Sequence, residues 1–521
     1  MKIYNLVRSN TYYDSVTLML ISKQLKKIEG LDDVSVMMGT PANRVILQEA
    51  NLLGAEGAEA GPNDLIIAFR ANEDIDVDSV LSQIDEQLNK KADSEQKAEV
   101  AELRSVMKAY QDQPDANLVI ISVPGEYASF ETERALNQGK NVFLFSDNVA
   151  LEDEVRLKQL ASEKGLLVMG PDCGTAVING IGVGFANQLK RGDVGLVSAA
   201  GTGLQEVTCL LDSLGFGVSQ AIGTGGRDLK EAVGALTMLQ ALQMLLEDEA
   251  TKTIVLISKP PAPAVVEKIL KYLSGTDKQV VICFLGSKID NLPAGVTAAA
   301  TLEETALKVA ALNGKQEGLG YEQALLKQLA DEFRNKLNAQ QKYVRALYAG
   351  GTLCYEAMLV MQQQLGPIYS NTPLNKELTT SDVVLANRHT AIDLGDDQFT
   401  MGRPHPMIDG SLRYEYINKV ASDAKTAVLL LDVVIGYGAA EDPAGELVPI
   451  IAQAKETAAQ LGNQLAIIAY VCGTDQDEQN KEAQIAKLRE AGVFVAKTNA
   501  EAARLAVMIA GGLEDGTNDN Q

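Results

Sequence analysis

Short apolar runs alternate with amphipathic stretches along most of the chain. From residue 117 onward, an apolar run, a polar loop and a stretch with apolar residues at helical spacing follow one another repeatedly. Residues 118–123, 142–145 and 166–169 are such runs, and each is followed by a loop containing Gly, Pro, Asp or Asn. The alternation predicts an α/β protein with parallel sheets, in which ligands bind at the carboxyl ends of the strands.

This pattern occurs twice. An apolar strand, a glycine-threonine turn and a helix surround both Gly201-Thr202 and Gly351-Thr352. Four further pairs of similar segments follow in the same order: 221–225 and 391–395, 253–257 and 427–431, 280–285 and 466–471, and 294–304 and 491–501. A repeat of this length predicts two related α/β domains.

The repeat and the loops divide the chain into parts. We expect a Rossmann-like, doubly wound domain near the N-terminus, followed by two repeated flavodoxin-like domains. The expected parts, in chain order, are a small α/β unit, a Rossmann-like segment, a first flavodoxin-like domain, a linker helix, a second flavodoxin-like domain and a disordered acidic tail: residues 1–115, 116–190, 191–312, 313–343, 344–511 and 512–521.

Composition narrows the class of partner. Lys and Arg number 46 against 69 Asp and Glu, a formal charge of −23, which argues against nucleic acid because such partners need a basic face. No signal peptide or membrane-spanning apolar run is visible, so we expect a soluble, cytoplasmic protein without a membrane partner. The five cysteines are far apart and never spaced Cys-x-x-Cys, which predicts reduced thiols and no structural metal site.

The two glycine-threonine turns are candidate phosphate sites. The first N–H groups of a helix lack intrahelical acceptors and attract anions. If both helices start at one place, a phosphate gains from both dipoles, about 0.3–1 kcal/mol each. The alternative is a pair of tight turns without a ligand. The candidate phosphate-binding residues are Ser198, Gly201, Thr202, Gly203, Gly350, Gly351 and Thr352.

Several charged residues follow predicted strands. Arg227 carries a guanidinium fork that suits a carboxylate or phosphate, although Arg227 and Asp228 are equally suited to bracing a loop. Lys259 ends a predicted buried strand and either contacts substrate or reaches the surface. The remaining substrate-site candidates lie in glycine-rich or polar loops: Gly225, Gly226, Asp172 and Asn148.

The chain has only two histidines, His389 and His405. His405 stands in the sequence Arg403-Pro-His-Pro, where it is a candidate general acid/base or hydrogen-bond donor to a developing oxyanion. Together with Arg227, Arg403 and His405 form the candidate catalytic set, and a structural loop is the alternative. Three nearby carboxylates are candidate Mg²⁺ ligands or, alternatively, helix caps and solvated acids: Asp393, Asp396 and Asp397.

The motifs resemble a known family. The loop with Asp172, the turn at Gly201 and the Gly225–Asp228 segment are similar to elements of the α subunit of succinyl-CoA synthetase, and the second repeat resembles the carboxy-terminal domain of its β subunit. More closely, the chain resembles the FdrA family in the strings at 14–19, 36–43, 145–149, 170–175, 225–228, 258–261 and 402–409. This resemblance implies an acyl-CoA synthetase-like fold and a place in a multi-subunit complex. The family also includes a component of an oxamate carbamoyltransferase of purine (allantoin) breakdown.

Two departures separate the chain from the synthetases. The loop 286–295 contains no histidine to carry phosphate, and residues 3–9 contain no glycine for a CoA-binding turn. These departures favour a carbamoyltransferase subunit that interconverts carbamoyl phosphate plus oxamate with oxalurate plus phosphate. Its expected partners are a small substrate with phosphate and carboxylate groups and other protein subunits. The alternatives are a nucleotide-dependent acyl-CoA synthetase, which needs CoA, and a non-catalytic scaffold subunit.

Overall fold

The computed structural model describes most of the chain. The described residues are 2–11, 13, 18, 21–22, 25, 28, 30–72, 77, 80–82, 105–316, 318–401 and 403–511. Two compact units emerge, Met1–Asp112 with Asp397–His405, and Gln113–Asp396 with Pro406–Gln521. The predicted tail at 512–521 lies outside the described residues.

The first unit is built on a three-stranded antiparallel sheet of order β1-β3-β2. Its central strand β3 is buried on both faces, so Ile67 and Phe69 enter one apolar cluster while Ile66 and Ala68 enter another. The elements are β1 Lys2–Arg8, β2 Leu31–Met38, α1 Pro41–Glu49, α2 Ala55–Glu59, β3 Leu65–Ala71 and α3 Val106–Asp112.

The second unit begins with a small parallel sheet of order β4-β5-β6, as the strand and helix alternation predicted. Its elements are β4 Leu118–Ile121, α4 Gly125–Asn137, β5 Asn141–Leu144, α5 Leu151–Glu163 and β6 Val168–Met169.

The first repeat forms a seven-stranded sheet of order β13-β12-β11-β9-β10-β7-β8. The hairpin β7-β8, at residues 175–184, joins this sheet through an antiparallel pairing of β7 with β10, although the sequence assigned residues 116–190 to the preceding Rossmann-like segment. The elements are β7 Thr175–Ile178, β8 Ile181–Gly184, β9 Arg191–Ser198, α6 Gly201–Ser213, β10 Val218–Gly223, α7 Leu236–Glu247, β11 Thr253–Ser258, α8 Pro263–Leu273, β12 Gln279–Phe284, β13 Val296–Ala298 and α9 Leu302–Leu312.

The second repeat forms a six-stranded parallel sheet of order β15-β16-β14-β17-β18-β19. The helix before it, α10, buries Leu326 and Ala330. The elements are α10 Gln323–Arg334, β14 Tyr343–Tyr348, α11 Gly351–Leu365, β15 Ile368–Tyr369, β16 His389–Asp393, α12 Asp397–Thr400 (in the first unit), α13 Ser411–Ala421, β17 Thr426–Val434, α14 Pro443–Gln460, β18 Ala466–Cys472, α15 Lys481–Glu490, β19 Phe494–Ala496 and α16 Asn499–Gly511.

The two repeats share one topology. The order β13-β12-β11-β9-β10 in the first corresponds to β19-β18-β17-β14-β16 in the second, so the α/β class and the repeat are confirmed. The helices α6 and α9 of the first repeat and α11 and α16 of the second bury their apolar faces in one common core. In the described ranges, no helix combines the length and the apolar character needed to cross a bilayer.

Candidate functional site

The two glycine-threonine turns meet in the structure. The helices α6 and α11 begin at Gly201 and Gly351, and the backbone N–H of Thr352 donates a hydrogen bond of 3.1 Å to Thr202 Oγ1. The approach requires a missing side chain, because a Cβ on Gly203 would lie 2.9 Å from Thr352 Cγ2. The repeat in the sequence predicted that the two helix starts converge, and this geometry confirms it.

The first turn presents unused hydrogen-bond donors. The backbone N–H groups of Gly201, Thr202 and Gly203 have no acceptor among the described residues. Gly201 is exposed and Thr202 is half-buried, so their N–H groups are the ones open to a ligand, whereas Gly203 is buried. Ser198, in contrast, is buried and its hydroxyl is bonded to the backbone of Ala200, at 2.8 Å to the oxygen and 3.1 Å from the nitrogen. Ser198 therefore shapes the turn from inside the protein.

The second turn already holds an anion of the protein itself. The carboxylate of Asp432 accepts hydrogen bonds of 2.7 Å from the backbone N–H groups of Ala349 and Gly350. Arg413 donates to the same carboxylate at 3.1 Å and to the carbonyl of Asp432 at 2.7 Å. Both side chains are buried. The two turns therefore differ in what binds the N–H groups just before each helix: Asp432 at Ala349 and Gly350, but the Ile257 carbonyl and the Ser198 hydroxyl at Ala199 and Ala200.

Sequence reasoning missed Asp432 and Arg413. The signal that could have revealed Asp432 is its place as the only polar residue in the apolar run 427–434. A buried carboxylate is costly unless it is paired, so such a residue implies a partner. The sequence does not show that this partner is Arg413 together with the turn before α11.

A second carboxylate lies beside the start of α11. Asp393 ends β16, and a Cβ placed on Gly351 would clash with Asp393 Oδ2. Burial raises the pKa of Asp393 to about 6, although the Lys259 ammonium opposes this shift. Lys259 follows β11 and is half-buried, with its ammonium 5.7 Å from the centre of the Tyr355 ring. Lys259 thus places a positive charge next to the paired turns.

The Gly225–Asp228 segment is held by a buried ion-pair network. Asp228 accepts hydrogen bonds from the backbone of Thr237 at 3.2 Å and of Met238 at 2.9 Å, and from Lys158 at 2.8 Å. Asp228 therefore anchors the start of α7. This arrangement agrees with the bracing alternative for Asp228, and a substrate role for it stays a prediction.

Arg227 belongs to the same network. Its guanidinium pairs with Glu154 at 2.8 Å and donates to the carbonyl of Val149 at 2.8 Å. About a third of its side chain is exposed. Gly225 has a φ of +83°, and a Cβ there would clash with the Pro171 carbonyl, so the turn needs glycine.

The other loop candidates sit at the carboxyl end of the small parallel sheet. Asn148 and Asp172 are exposed and adopt φ values of 53° and 54°, and the Asp172 N–H bonds to the carbonyl of Ser146 at 3.0 Å. Gly226 is exposed in its turn. The structure neither brings these residues to the paired turns nor assigns them a ligand.

Arg403 and His405 fall in the segment Asp397–His405, which belongs to the first compact unit. Arg403 is exposed, and its backbone N–H bonds to the carbonyl of Thr400 at 3.0 Å. The catalytic roles of Arg403 and His405 stay predictions. His389 is a buried residue at the start of β16, where its Nδ1 accepts a hydrogen bond from the Val344 N–H at 3.1 Å.

Two segments of the chain match family models. Residues 347–509 match a model described as CoA-ligase, and residues 1–104 match one described as AllF, heavy metal-associated domain. Residues 1–104 contain neither Cys nor His, so this segment offers a heavy metal no thiolate or imidazole ligand. Across the described ranges, no three residues of Asp, Glu, His or Cys gather as a metal site would require, so Mg²⁺ binding at Asp393, Asp396 and Asp397 gains no support.

Individual relatives extend these matches. The chain is 28% identical over 149 residues to subunit alpha 2 of an ADP-forming succinate–CoA ligase of Archaeoglobus fulgidus, covering 28% of this chain and half of that subunit. A solved structure, PH0766 from Pyrococcus horikoshii, aligns with 80% of this chain and 88% of its own at 14% identity and a TM-score of 0.31. YahF of Escherichia coli K12 is 43% identical over 511 residues, which are 97% of this chain and 98% of YahF. With this near full-length similarity, the chain belongs to the FdrA family, a CoA-ligase-like branch related to the succinyl-CoA synthetases.

Proposed function

We propose that this chain is the acyl phosphate-binding subunit of a carbamoyltransferase, which moves a carbamoyl group between phosphate and the amide nitrogen of oxamate. The observation that carries the proposal is the contact between Thr202 and Thr352, which leaves three unused N–H donors at the start of α6. Successive N–H groups at the positive end of a helix form an anion site. Lys259 adds a positive charge nearby.

The histidine content supports direct transfer. Both histidines of the chain are accounted for: His389 is buried at the amino end of β16, and the paired turns lie at the carboxyl ends of the strands. His405 belongs to the other unit. The second unit itself therefore offers no histidine at the turns for a phosphohistidine relay, and carbamoyl transfer needs none. The nitrogen of oxamate attacks the carbonyl carbon, and the bond from that carbon to the phosphate oxygen breaks.

The electrostatics support an acyl phosphate as ligand. A phosphate dianion at the start of α6 gains from the helix dipole, and each N–H donor makes a charge-assisted hydrogen bond. In the second repeat Asp432, paired with Arg413, already supplies a negative charge just before the start of α11. One phosphate group and a neutral carbamoyl group therefore suit the site better than two phosphates. In this proposal partner subunits complete the enzyme, and the catalytic roles of Arg403 and His405 stay separate predictions.

The family relationship supports a second candidate, an acyl-CoA ligase. The match of residues 347–509 to the CoA-ligase model and the similarity to a succinate–CoA ligase subunit favour it. The two candidates predict different ligands for the full chain. A ligase binds CoA, whereas the proposed carbamoyltransferase subunit binds carbamoyl phosphate.

Binding to the full chain separates them. We expect phosphonoacetamide, a stable analogue of carbamoyl phosphate, to bind in isothermal titration calorimetry at one saturable site from which inorganic phosphate displaces it. Thr202→Val removes the hydroxyl that joins the two helix starts and should weaken binding at least about tenfold. Thr208→Val, on the same helix, loses only a hydroxyl bonded to the Leu204 carbonyl and serves as the control. Binding of CoA without the analogue would favour the ligase, and binding of neither would overturn both.

A further inference from the structure

Asp393 is held in one fixed orientation. Its backbone is clamped by the side chain of Asn371, which accepts from the Asp393 N–H at 2.9 Å and donates to the Asp393 carbonyl at 2.9 Å. One carboxyl oxygen, Oδ1, accepts a hydrogen bond of 3.0 Å from the Gly395 N–H. Three bonds therefore fix where the second oxygen, Oδ2, points.

That second oxygen is aimed at the start of α11. Oδ2 packs against Gly351, where any Cβ would clash with it. Asp393 is 4% exposed, and Oδ2 accepts no hydrogen bond from the described part of the chain. Structural carboxylates normally bond both oxygens, so Oδ2 is left available to a group at the start of α11. A ligand or a proton at the paired turns would satisfy Oδ2.

The charges around Asp393 come from four elements. Lys259, after β11, favours the ionised carboxylate, whereas Asp396, in the loop after β16, and Asp432, on β17, oppose it. Cys354, on α11, carries a neutral thiol because burial raises its pKa well above the usual value. Burial is the largest influence and raises the pKa of Asp393 to about 6. Asp393 therefore gives up and takes back a proton near neutral pH.

We propose that Asp393 is the proton-transfer residue of the paired-turn site. This inference rests on the proposed function. In the direction of oxalurate, the oxamate nitrogen forms a bond to the carbonyl carbon of carbamoyl phosphate. The bond from that carbon to the phosphate oxygen breaks, and its electron pair leaves with phosphate. The proton of the attacking nitrogen passes to Asp393 Oδ2. In the reverse direction, the same carboxyl group returns the proton to the departing nitrogen.

The test compares Asp393→Asn with wild type in both binding and turnover. The asparagine keeps the Oδ1 acceptor for the Gly395 N–H, so we expect the fold to be preserved. Because the variant loses a negative charge near the phosphate site, its affinity for phosphonoacetamide should equal or exceed that of wild type. We expect kcat of the assembled enzyme to fall roughly 10²–10⁴-fold. The rate of oxalurate synthesis by wild type should decline as the pH falls through about 6, the pKa of Asp393. This decline at low pH, the acid limb of the pH–rate profile, should be absent from the residual rate of the variant.

The control is Asp396→Asn. It removes a neighbouring charge that raises the pKa of Asp393, so it should shift the acid limb to lower pH and leave kcat near wild type. An Asp393→Asn enzyme with wild-type kcat or an unchanged acid limb would overturn the inference. Failure of the wild-type chain to bind phosphonoacetamide would instead overturn the proposed function, so the two failures are distinguishable.

Discussion

Glu206 and Glu356 occupy equivalent positions in the two repeats, but among the described residues Glu356 alone of the two has donors in hydrogen-bonding geometry. Glu356 accepts from the Leu302 N–H at 2.6 Å and from Asn499 Nδ2 at 2.8 Å. Both oxygens of Glu206 are buried without a hydrogen bond to any described residue. Burial raises the pKa of Glu206 to about 7, and burial together with the charge of Glu206 raises the pKa of Glu356 to about 8.

The first prediction is that Glu206→Gln is more favourable for stability, relative to wild type, at pH 8 than at pH 5. The folded state raises the pKa of Glu206 above the usual 4.5, so its contribution to stability is complete below pH 4.5 and is lost as the pH rises toward 7. The loss reaches at most about 1.4 kcal/mol per pH unit. Gln does not titrate. We therefore expect the difference in urea midpoint between variant and wild type to move in favour of the variant from pH 5 to pH 8.

Glu356→Gln is the matched comparison. Its amide cannot accept both hydrogen bonds that the carboxyl group of Glu356 accepts, so we expect destabilisation at both pH values. Parallel pH profiles for Glu206→Gln and wild type would contradict the first prediction.

The second prediction concerns the contact between the helix starts. Gly203→Ala places a Cβ 2.9 Å from Thr352 Cγ2 and should push α6 and α11 apart. We expect a loss of about 1–3 kcal/mol of stability and weaker phosphonoacetamide binding. Calorimetry and urea unfolding measure the two effects.

Removal of the clashing methyl group should reverse this loss. Thr352→Ser lacks Cγ2, so Gly203→Ala combined with Thr352→Ser should recover most of the stability and binding. Gly318→Ala is the control, because nothing lies within 4 Å of its added Cβ. A double variant no better than Gly203→Ala would show that the clash is not the cause.

The third prediction concerns the Asp432 carboxylate, which binds the N–H groups of Ala349 and Gly350 before α11. Asp432→Asn leaves Arg413 buried without a charged partner and should cost about 3–5 kcal/mol in the free energy of unfolding. Replacing both residues, by Arg413→Met with Asp432→Asn, should recover part of this loss. Urea unfolding of wild type, Asp432→Asn, Arg413→Met and the double variant gives the coupling energy between the two side chains. An Asp432→Asn chain as stable as wild type would mean that the carboxylate does not hold the turn.

The fourth prediction concerns Arg403 and His405. Arg403→Lys should raise KM for oxamate, because lysine cannot make two parallel hydrogen bonds to a carboxylate. His405→Ala should lower kcat by roughly 10²–10³ with little effect on KM, since it stabilises charge that develops in the transition state. Steady-state kinetics of the assembled enzyme test both. Met401→Ala, at a side chain that is 76% exposed, controls for disturbance of the loop. Wild-type rates in both variants would make the loop structural.

Two features of the site were predictable from local sequence. A glycine-threonine turn between an apolar strand and a helix determines its own geometry, and its duplication at Gly201 and Gly351 predicted that the helix starts converge. The duplication of the α/β domain followed in the same way, because apolar periodicity and the order of segments can be read from the chain itself. The lack of a histidine in the loop 286–295 was likewise visible in the sequence.

The tertiary structure alone decided what fills each turn. Asp432 reaches Ala349 and Gly350 because β17 pairs with β14, and Asp393 reaches Gly351 because β16 pairs with β14 on the other side. Strand order places residues about 40 or 80 positions apart in contact, and neither periodicity nor turn chemistry encodes that order. Sequence alone therefore predicted two glycine-threonine turns at helix starts, whereas only the packing of the sheets placed Asp393 and Asp432 beside the second of them.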